Sequence, residues 1–342
     1  MWGKQMKQSS INRIKLRQKV NINSIEMFKA CLQYNSQFQP KVKIELAKWP
    51  MYFEYWEYLE KHENIIPFSI KTSIDNLTLY GNLLKSPLKN ENNNKTIILL
   101  HGITNTRFWI FKQAFIFLRA GYNVIWYDAR NHGESDASPT TFGLKESQDL
   151  QDIIEYCCKT YKQETTALGL YGFSLGGATV VMWSNLYAKH KINQKVKFII
   201  SDCTFSRLDR TYSEKLYNYA FLPTNLMLKL SRKKAQKTFG VDGLQEIQPI
   251  KYLKLIPDMP MLFLHGQNDH FINYTNANEL FQEKIRYEIP KKSSLYTILD
   301  ANHGQSFLIG DLDHTVVNEY NLVTDKGISD TTLEFVKKWI NT

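Results

Sequence analysis

Ser174 stands between closely spaced glycines in the stretch GLYGFSLGGATVV, residues 169 to 181. The spacing Gly172-x-Ser174-x-Gly176 decides little alone, because a chain of this length would contain G-x-S-x-G by chance in roughly one case in ten. Its surroundings are more specific, since an apolar strand-like run precedes the serine and a helix-like run follows it. A serine on such a turn can act as a nucleophile if a base accepts its proton and a third group orients that base.

A base and an acid are available in His303 and Asp269, which follow two later strand-like runs in "ILDANHGQSF" and "LFLHGQNDHFI". Serine, acid and histidine then follow one another in the chain order typical of a nucleophile on a strand-to-helix turn. In this hypothesis His303 takes the Ser174 proton and later gives it to the leaving group. Asp269 holds the imidazole tautomer and stabilises the imidazolium. Asp300, three residues before His303, is the alternative acid.

Other polar residues at the strand ends fit structural roles better than catalytic ones. Three histidines directly precede a glycine at the start of a loop, which favours a turn or hydrogen-bonding role: His101, His132 and His265. His270 is adjacent to the proposed acid and is expected to point elsewhere. Asp202 is expected to satisfy loop backbone.

An acyl-transfer reaction also needs donors for the negative charge that develops on the substrate oxygen. The backbone N–H of Leu175, directly after the serine, is one candidate for this oxyanion hole. The second is the Ile103 N–H, in the loop that follows "ILLHG". Loss of one such donor costs about 3 kcal/mol of transition-state stabilisation. We therefore expect this loop to act through its backbone.

The elements that must position these residues alternate from about residue 96 onward. Short apolar runs read as strands, and longer amphipathic stretches between them, such as 106 to 120 and 143 to 162, read as helices. The candidate strands are "TIILLHG", "YNVIWYDAR", "TALGLYGFS", "VKFIISDCT", "PMLFLHGQND" and "SLYTILDANHG". Upstream, residues 66 to 86 read as a hairpin that turns at Asp75-Asn76. The pattern predicts an α/β fold, a mostly parallel sheet with helices on both faces and ligands at its carboxyl edge.

Two regions depart from this alternation. Residues 1 to 64 read as an amino-terminal helical extension whose aromatic cluster, "WPMYFEYWEYLE", packs on the domain formed by residues 65 to 342. Residues from about 205 to 250 read as a helical insertion above the strand ends, a position suited to a lid. Its aromatic and aliphatic side chains are candidates for substrate binding: Tyr212, Tyr217, Phe221, Leu222 and Met227.

Composition limits the classes of partner. The formal net charge is +10, and Glu26 is the only acid among the first 30 residues. This basic segment is compatible with weak contact to an anionic membrane, but its apolar residues form no helical stripe, so a solvated tail is favoured. No nucleic-acid motif accompanies the charge, and no cysteine spacing indicates a metal. We see no secretory signal or membrane-spanning run and expect a cytoplasmic protein without a cofactor.

The ordered set "HGITNTR", "YDARNHGES", "GFSLGG", "HGQNDHFI" and "ANHG" resembles the α/β-hydrolase superfamily, above all its bacterial esterases and acyl-aminoacyl-peptidase-like serine hydrolases. The resemblance covers residues 65 to 341. It implies the α/β-hydrolase fold, with an eight-stranded type of sheet and a small helical lid. It also implies Ser174, Asp269 and His303 as the catalytic triad, with Ile103 and Leu175 as oxyanion donors.

The favoured function is a serine hydrolase that cleaves a carboxylic ester with a short- to medium-chain acyl group through an acyl-enzyme on Ser174. Thioesterase, amidase or peptidase, and acyltransferase activities use the same residues and stay open. A non-catalytic binding protein on this fold is the alternative from another class. The sequence leaves the oligomeric state open.

Overall fold

The computed structural model describes residues 50–219, 233, 243–307, 316–324 and 326–342. Its described part contains a nine-stranded sheet in the order β1-β2-β4-β3-β5-β6-β7-β8-β9. The strands are β1 (Ile65–Lys71), β2 (Thr78–Leu84), β3 (Lys95–Leu100), β4 (Asn123–Tyr127), β5 (Ala167–Phe173), β6 (Val196–Asp202), β7 (Met261–Gly266), β8 (Ser294–Ile298) and β9 (Val316–Asn318). Strands β3 to β8 are parallel to one another, whereas β1, β2 and β9 pair antiparallel.

Helices cover both faces of the sheet. They are α1 (Pro50–Lys61), α2 (Phe111–Arg119), α3 (Glu146–Thr160), α4 (Leu175–Met182), α5 (Ser184–Tyr187), α6 (Leu208–Tyr219), α7 (Gly243–Glu246), α8 (Thr275–Ile285) and α9 (Ile328–Ile340). Short 3₁₀ segments occupy Arg107–Ile110, Lys191–Lys195 and Pro249–Leu255. The predicted α/β architecture, a mostly parallel sheet between two helical layers, is confirmed.

The apolar runs of the central strands follow from this layering, because a strand covered on both faces has no polar side. Every residue of β5 is buried. On β3, Ile97 and Leu99 join one core, which α1, α2 and α9 cover. Ile98 and Leu100 point to the opposite face and join a second core under α3, α4 and α8. The two cores fix the register of the strands that carry the site.

The predicted hairpin is present as β1 and β2, with Lys71 opposite Thr78. Asp75 and Asn76 turn it with φ angles of 66° and 52°. Short polar side chains tolerate this left-handed region better than other non-glycine residues do.

The aromatic cluster before β1 forms α1, which packs on the sheet. Tyr52, Trp56 and Leu59 are buried in the first core. The Trp56 ring lies 5.8 Å from the ring of Trp126 on β4 and 5.7 Å from that of Phe111. Residues 1–49 of the predicted helical extension lie outside the described residues.

Three elements differ from the sequence-based expectation. The helix after Ser174 is interrupted at Trp183, so that α4 and α5 replace one continuous helix. The helix expected from residue 143 begins at Glu146, because Gly143 has a φ of 106° and the Glu146 carboxylate caps the N–H groups of Thr141 and Gly143. The edge strand β9 is an addition to the eight-stranded type of sheet.

The predicted lid is described only at its margins, by α6 and α7. Phe221, Leu222 and Met227 lie outside the described residues, and so do the side chains of Tyr212 and Tyr217. Their predicted contact with substrate stays a prediction.

Candidate active site

Ser174 occupies the sharp turn between β5 and α4. Its backbone has φ 52° and ψ −109°, a conformation that costs a non-glycine residue about 1–3 kcal/mol. A Cβ at Gly172 would lie 2.1 Å from the carbonyl oxygen of Gly176, and a Cβ at Gly176 would lie 2.3 Å from that of Leu100. Both obstacles are backbone atoms, so these positions require glycine and the turn raises Ser174 above the sheet.

Ser174, His303 and Asp269 meet at the carboxyl edge of the sheet. His303 Nε2 lies 3.1 Å from Ser174 Oγ, and His303 Nδ1 lies 2.7 Å from Asp269 Oδ2. Ser174 is 3% exposed and Asp269 7%, whereas the His303 side chain retains 19% exposure. The imidazole thus bridges a hydroxyl and a buried carboxylate, in an arrangement that can remove the hydroxyl proton and stabilise the resulting positive charge.

Asp269 accepts four hydrogen bonds. Its Oδ1 accepts from the backbone N–H groups of Phe271 and Ile272, each at 2.8 Å. Its Oδ2 accepts from His303 and also from His265 Nε2, at 3.1 Å. Burial opposes ionisation of Asp269, but the hydrogen bonds from His265 and His303 outweigh it and hold the pKa of Asp269 well below its usual value. The carboxylate is therefore charged at neutral pH.

The alternative acid, Asp300, has a different setting. Asp300 is exposed, and its backbone lies in the left-handed region with φ 57°. Within the described chain, Asp300 and His303 share no hydrogen bond. The geometry therefore joins His303 to Asp269 and not to Asp300.

The two predicted oxyanion donors lie next to the serine turn and in the loop after β3. Neither the Leu175 nor the Ile103 backbone N–H has a hydrogen-bond acceptor among the described residues. An N–H group of this kind is available to an oxygen atom of a substrate.

Two neutral histidines hold the loop that contains Ile103. His101 Nδ1 donates to the Gly102 carbonyl at 2.8 Å, and its Nε2 accepts from the Ala129 N–H at 3.0 Å. His132 Nδ1 donates to the Arg130 carbonyl, and its Nε2 lies 3.3 Å from the Thr104 nitrogen. Only a neutral imidazole both donates and accepts. Burial, aided by the charge that His132 would carry, lowers the pKa of His101 to about 3.

Burial also lowers the pKa of His132. The structural roles predicted for these two histidines agree with their hydrogen bonds. The third, His265, contacts the proposed catalytic acid directly. Its only sequence signal is its position near the end of β7, four residues before Asp269.

Aromatic rings surround His303. The rings of Phe173 and Phe271 each lie 5.0 Å from the imidazole, and Trp109 stacks on Phe173 at 4.8 Å. Sequence analysis did not single out these three residues for the site. They give the described wall beside His303 an apolar character suited to an acyl group or another apolar moiety.

One group in the described residues has the residue types and proximity of a metal site. Ligand atoms of Cys203, His265 and Asp269 lie within 4.8 Å of one another, and all three residues are buried. However, the four hydrogen bonds of Asp269 and the two contacts of His265 Nε2 occupy these atoms, and among the described residues only His265 Nδ1 of this carboxylate and imidazole pair has no hydrogen-bond partner. Burial next to Asp202 and Asp269 raises the pKa of the Cys203 thiol well above its usual value, which disfavours the thiolate. The donor set does not fit a metal.

In the part of the chain that the structure describes, no helix combines the length and apolar character needed to cross a membrane.

Comparison with known proteins shows which proteins this chain resembles. The family model for the alpha/beta hydrolase fold matches residues 95–243. The protein YqkD of Bacillus subtilis is 28% identical over 256 residues, which cover 75% of this chain and 77% of YqkD. The thiohydrolase aneE of Aspergillus aculeatus is 25% identical over 203 residues, or 57% of this chain and 58% of that protein.

Solved structures share the fold. The esterase Pf2001 of Pyrococcus furiosus superposes with a TM-score of 0.60 at 23% identity, covering 81% of this chain and 91% of the esterase. The acylaminoacyl peptidase of Pyrococcus horikoshii gives a TM-score of 0.54 at 15% identity, covering 81% of this chain and 41% of the peptidase. The family match, the nine-stranded sheet and these neighbours agree that the chain has the α/β-hydrolase fold.

Proposed function

We propose that the chain is a serine hydrolase that cleaves a carboxylic ester with a short- to medium-chain acyl group through an acyl-enzyme on Ser174. The observation that carries this proposal is the continuous hydrogen-bond path from Ser174 Oγ through His303 to Asp269, with distances of 3.1 and 2.7 Å. Residues 65 to 342 form the proposed catalytic domain, with the lid at about 205 to 250.

In the first half of the reaction His303 Nε2 takes the Ser174 proton as Oγ attacks the substrate carbonyl carbon. The carbonyl oxygen becomes an oxyanion and accepts from the N–H groups of Leu175 and Ile103, which have no acceptor among the described residues. Asp269, kept ionised by its hydrogen bonds, stabilises the His303 imidazolium. The imidazolium then protonates the departing alkoxide, and the acyl group stays on Oγ.

In the second half water replaces the alcohol. His303 takes a proton from the water as its oxygen attacks the acyl carbon, and a second oxyanion forms at the same two N–H groups. Collapse of this intermediate returns the proton to Ser174 Oγ and releases the carboxylic acid. Water supplies all the atoms added, so the chemistry requires no cofactor.

Support for an ester over other acyl substrates comes from the site and its relatives. The wall beside His303 is aromatic, with partly exposed Trp109 and Phe271 and with buried Phe173 stacked on Trp109, and suits an apolar acyl or alcohol group. An esterase is among the solved structures that share the fold over most of both chains. A peptidase shares it as well, but this chain covers only 41% of that protein.

A fluorophosphonate probe tests the nucleophile, because it phosphonylates an activated serine. We expect labelling of the wild-type chain and none of Ser174→Ala. Ser184→Ala is the matched control: Ser184 is buried at the start of α5, and within the described ranges its hydroxyl donates only to the nearby Val181 carbonyl. Labelling that persists in Ser174→Ala, or is absent from folded wild-type protein, would overturn the proposal and favour a non-catalytic protein.

The acyl preference is tested with p-nitrophenyl esters of graded chain length. We expect kcat/KM to be highest for short to medium acyl groups and to fall for long ones. A flat response across the series would contradict the acyl preference while leaving the nucleophile in place.

Thioester hydrolysis is the second candidate, because a relative of this chain is a thiohydrolase. Comparison of kcat/KM for an oxygen ester and a thioester with the same acyl group separates the two. A kcat/KM more than tenfold higher for the thioester would assign the chain to thioester hydrolysis.

A further inference from the structure

Ser174 and His303 follow strands that are not neighbours in the sheet. Ser174 follows β5 and His303 follows β8, and β6 and β7 lie between these strands. Three strand spacings correspond to about 14 Å. The segment from Ala301 to Phe307 must therefore cross the carboxyl ends of β7 and β6 to bring His303 Nε2 within 3.1 Å of Ser174 Oγ. We call residues 301–307 the histidine segment.

Both ends of the histidine segment are tied to the strands that it crosses. At the β7 end, the Asn268 N–H donates to the Ala301 carbonyl at 2.9 Å. At the β6 end, Ser306 Oγ donates to Asp202 Oδ1 at 2.5 Å. The Tyr171 hydroxyl donates to the other oxygen of the same buried carboxylate.

The middle of the segment has a different support. Lys112 Nζ, which comes from the first turn of α2, donates to the carbonyl of Gly304, directly after His303. The Lys112 ammonium lies 5.0 Å from the centre of the Trp109 ring. Gly304 has φ 76°, and a Cβ there would lie 2.7 Å from Trp109. Lys112 and Trp109 therefore contact the segment where it approaches Ser174.

An ammonium group at this position carries a desolvation cost that an uncharged side chain would avoid. Lys112 is partly buried, and burial lowers its pKa, although the charge of Asp202 partly compensates. Among the described residues no carboxylate lies within ion-pair distance of Lys112 Nζ. A methionine would fill similar space without desolvating a charge. The contact that a methionine could not make is the charge-assisted hydrogen bond to Gly304.

We propose that Lys112 is a positioning residue that holds the Gly304 carbonyl and so sets the distance from His303 Nε2 to Ser174 Oγ. The proposal rests on the proposed function of Ser174 and His303. Because Lys112 and Ile103 belong to one segment after β3, the same contact links the loop of the oxyanion donor to the general base. Displacement of a catalytic group by about 1 Å can lower a rate by roughly 100-fold.

The experiment compares Lys112→Met with Lys112→Arg and with Lys284→Met. Lys284 is the matched control, because it is a buried lysine whose Nζ also donates to a backbone carbonyl, that of Pro257, at 2.9 Å. It lies in α8, one of the helices that cover the second core. Active sites are titrated with the fluorophosphonate probe, and kcat for a p-nitrophenyl ester is expressed per titrated site, which removes differences in folded fraction; KM is measured with the same ester.

We expect Lys112→Met to lower kcat per site by about 10- to 100-fold with KM within twofold of wild type. Lys112→Arg, which keeps a charged donor, should stay within about fivefold of wild type. Lys284→Met should lose stability, because it leaves Glu288 buried without its partner, yet keep kcat per site.

Two results would overturn the positioning role. One is a kcat per site in Lys112→Met within twofold of wild type. The other is an equal loss of kcat in Lys284→Met, which would assign the effect to stability. If Lys112→Met yields no titratable sites, a large loss of kcat in folded Lys112→Arg likewise counts against the proposal. If the wild-type protein itself takes no label, it is the proposed function that fails.

Discussion

Asp269 and His265 are joined by a hydrogen bond of 3.1 Å between Oδ2 and Nε2, in a site where both side chains are fully buried. The same oxygen accepts from His303, so one carboxylate oxygen serves two imidazoles. His265 Nε2 also lies 2.9 Å from the Ile272 carbonyl, which fixes Nε2 as the protonated nitrogen. His265 thereby orients the group that orients the proposed base.

Replacement of His265 tests this relationship. We expect His265→Leu to lower kcat by about tenfold, because a hydrogen bond to a charged group contributes roughly 1.5–3 kcal/mol and part of this orients Asp269. His265→Gln, which keeps an N–H donor, should recover part of the loss. Steady-state kinetics per titrated site measures both. Wild-type kcat in His265→Leu would show that the backbone donors of Phe271 and Ile272 suffice.

The identity of the catalytic acid is tested by a pair of isosteric changes. Asp269→Asn should lower kcat by about 10⁴-fold, because an amide at this place stabilises the wrong imidazole tautomer and carries no charge. Asp300→Asn should leave kcat within twofold, since asparagine tolerates the left-handed backbone at that residue and Asp300 is exposed. The reverse ranking in kinetic assays would assign the acid to Asp300.

The two neutral histidines that hold the loop containing Ile103 should make the stability of the protein depend on pH. In the unfolded chain a histidine titrates near pH 6.5, whereas burial lowers the pKa of folded His101 to about 3 and also lowers that of His132. The unfolded chain therefore binds more protons below about pH 6.5, and the free energy of unfolding should fall as the pH drops from 7 to 4. Each such histidine contributes up to about 1.4 kcal/mol per pH unit.

Asp149 has the opposite effect on the pH dependence of stability, because burial raises its pKa in the folded chain to about 6. Below this pH the folded chain binds a proton at Asp149 that the unfolded chain does not yet bind. His101→Asn isolates the histidine contribution. Urea unfolding at pH 7, 6 and 5 should show a shallower fall in stability for His101→Asn than for wild type. An unchanged slope in His101→Asn would contradict the assignment.

Replacement of two aromatic residues on α1 tests how much the packing of this helix on the sheet contributes to stability. Trp56 is 7% exposed and contacts Phe108, Phe111 and Trp126, whereas Tyr58 is 45% exposed. Trp56→Ala should lower the free energy of unfolding by about 3–5 kcal/mol, because it opens a cavity against the first core. Tyr58→Ala should change it by less than about 1 kcal/mol. Equal effects in urea unfolding would mean that α1 adds little to the core.

Local sequence patterns predicted the parallel strands well, because buried strands of α/β proteins are continuous apolar runs bounded by glycine and polar residues. The turn at Asp75-Asn76 was predictable because the residues on either side alternate as in a hairpin and both turn residues are short and polar. The three-residue strand β9 was not, since it is too short for a periodic signal and depends on pairing with β8. The break of the helix at Trp183 was equally hidden, because "LGGATVVMWSNLYAKH" contains no proline or glycine near the interruption.

Some residues of the candidate site could likewise be predicted from the sequence, and others could not. Ser174, Asp269 and His303 could be proposed from motif order, although they are far apart in the chain. The contact of His265 with Asp269 depends on the turn after β7, whose backbone path the HG dipeptide does not specify. Lys112 and Gly304 are 192 residues apart, and nothing in the local pattern around either residue predicts that they touch.

The backbone of Ser174 carries a further consequence, for stability. At φ 52° and ψ −109° the residue stores strain that is released on unfolding. Ser174→Gly should therefore unfold at higher urea concentration than Ser174→Ala, because alanine keeps the strain and glycine relieves it, although glycine gives the unfolded chain more freedom. If activity depends on Ser174 as proposed, both variants are inactive, and their difference measures the stability that the fold gives up to hold a reactive serine.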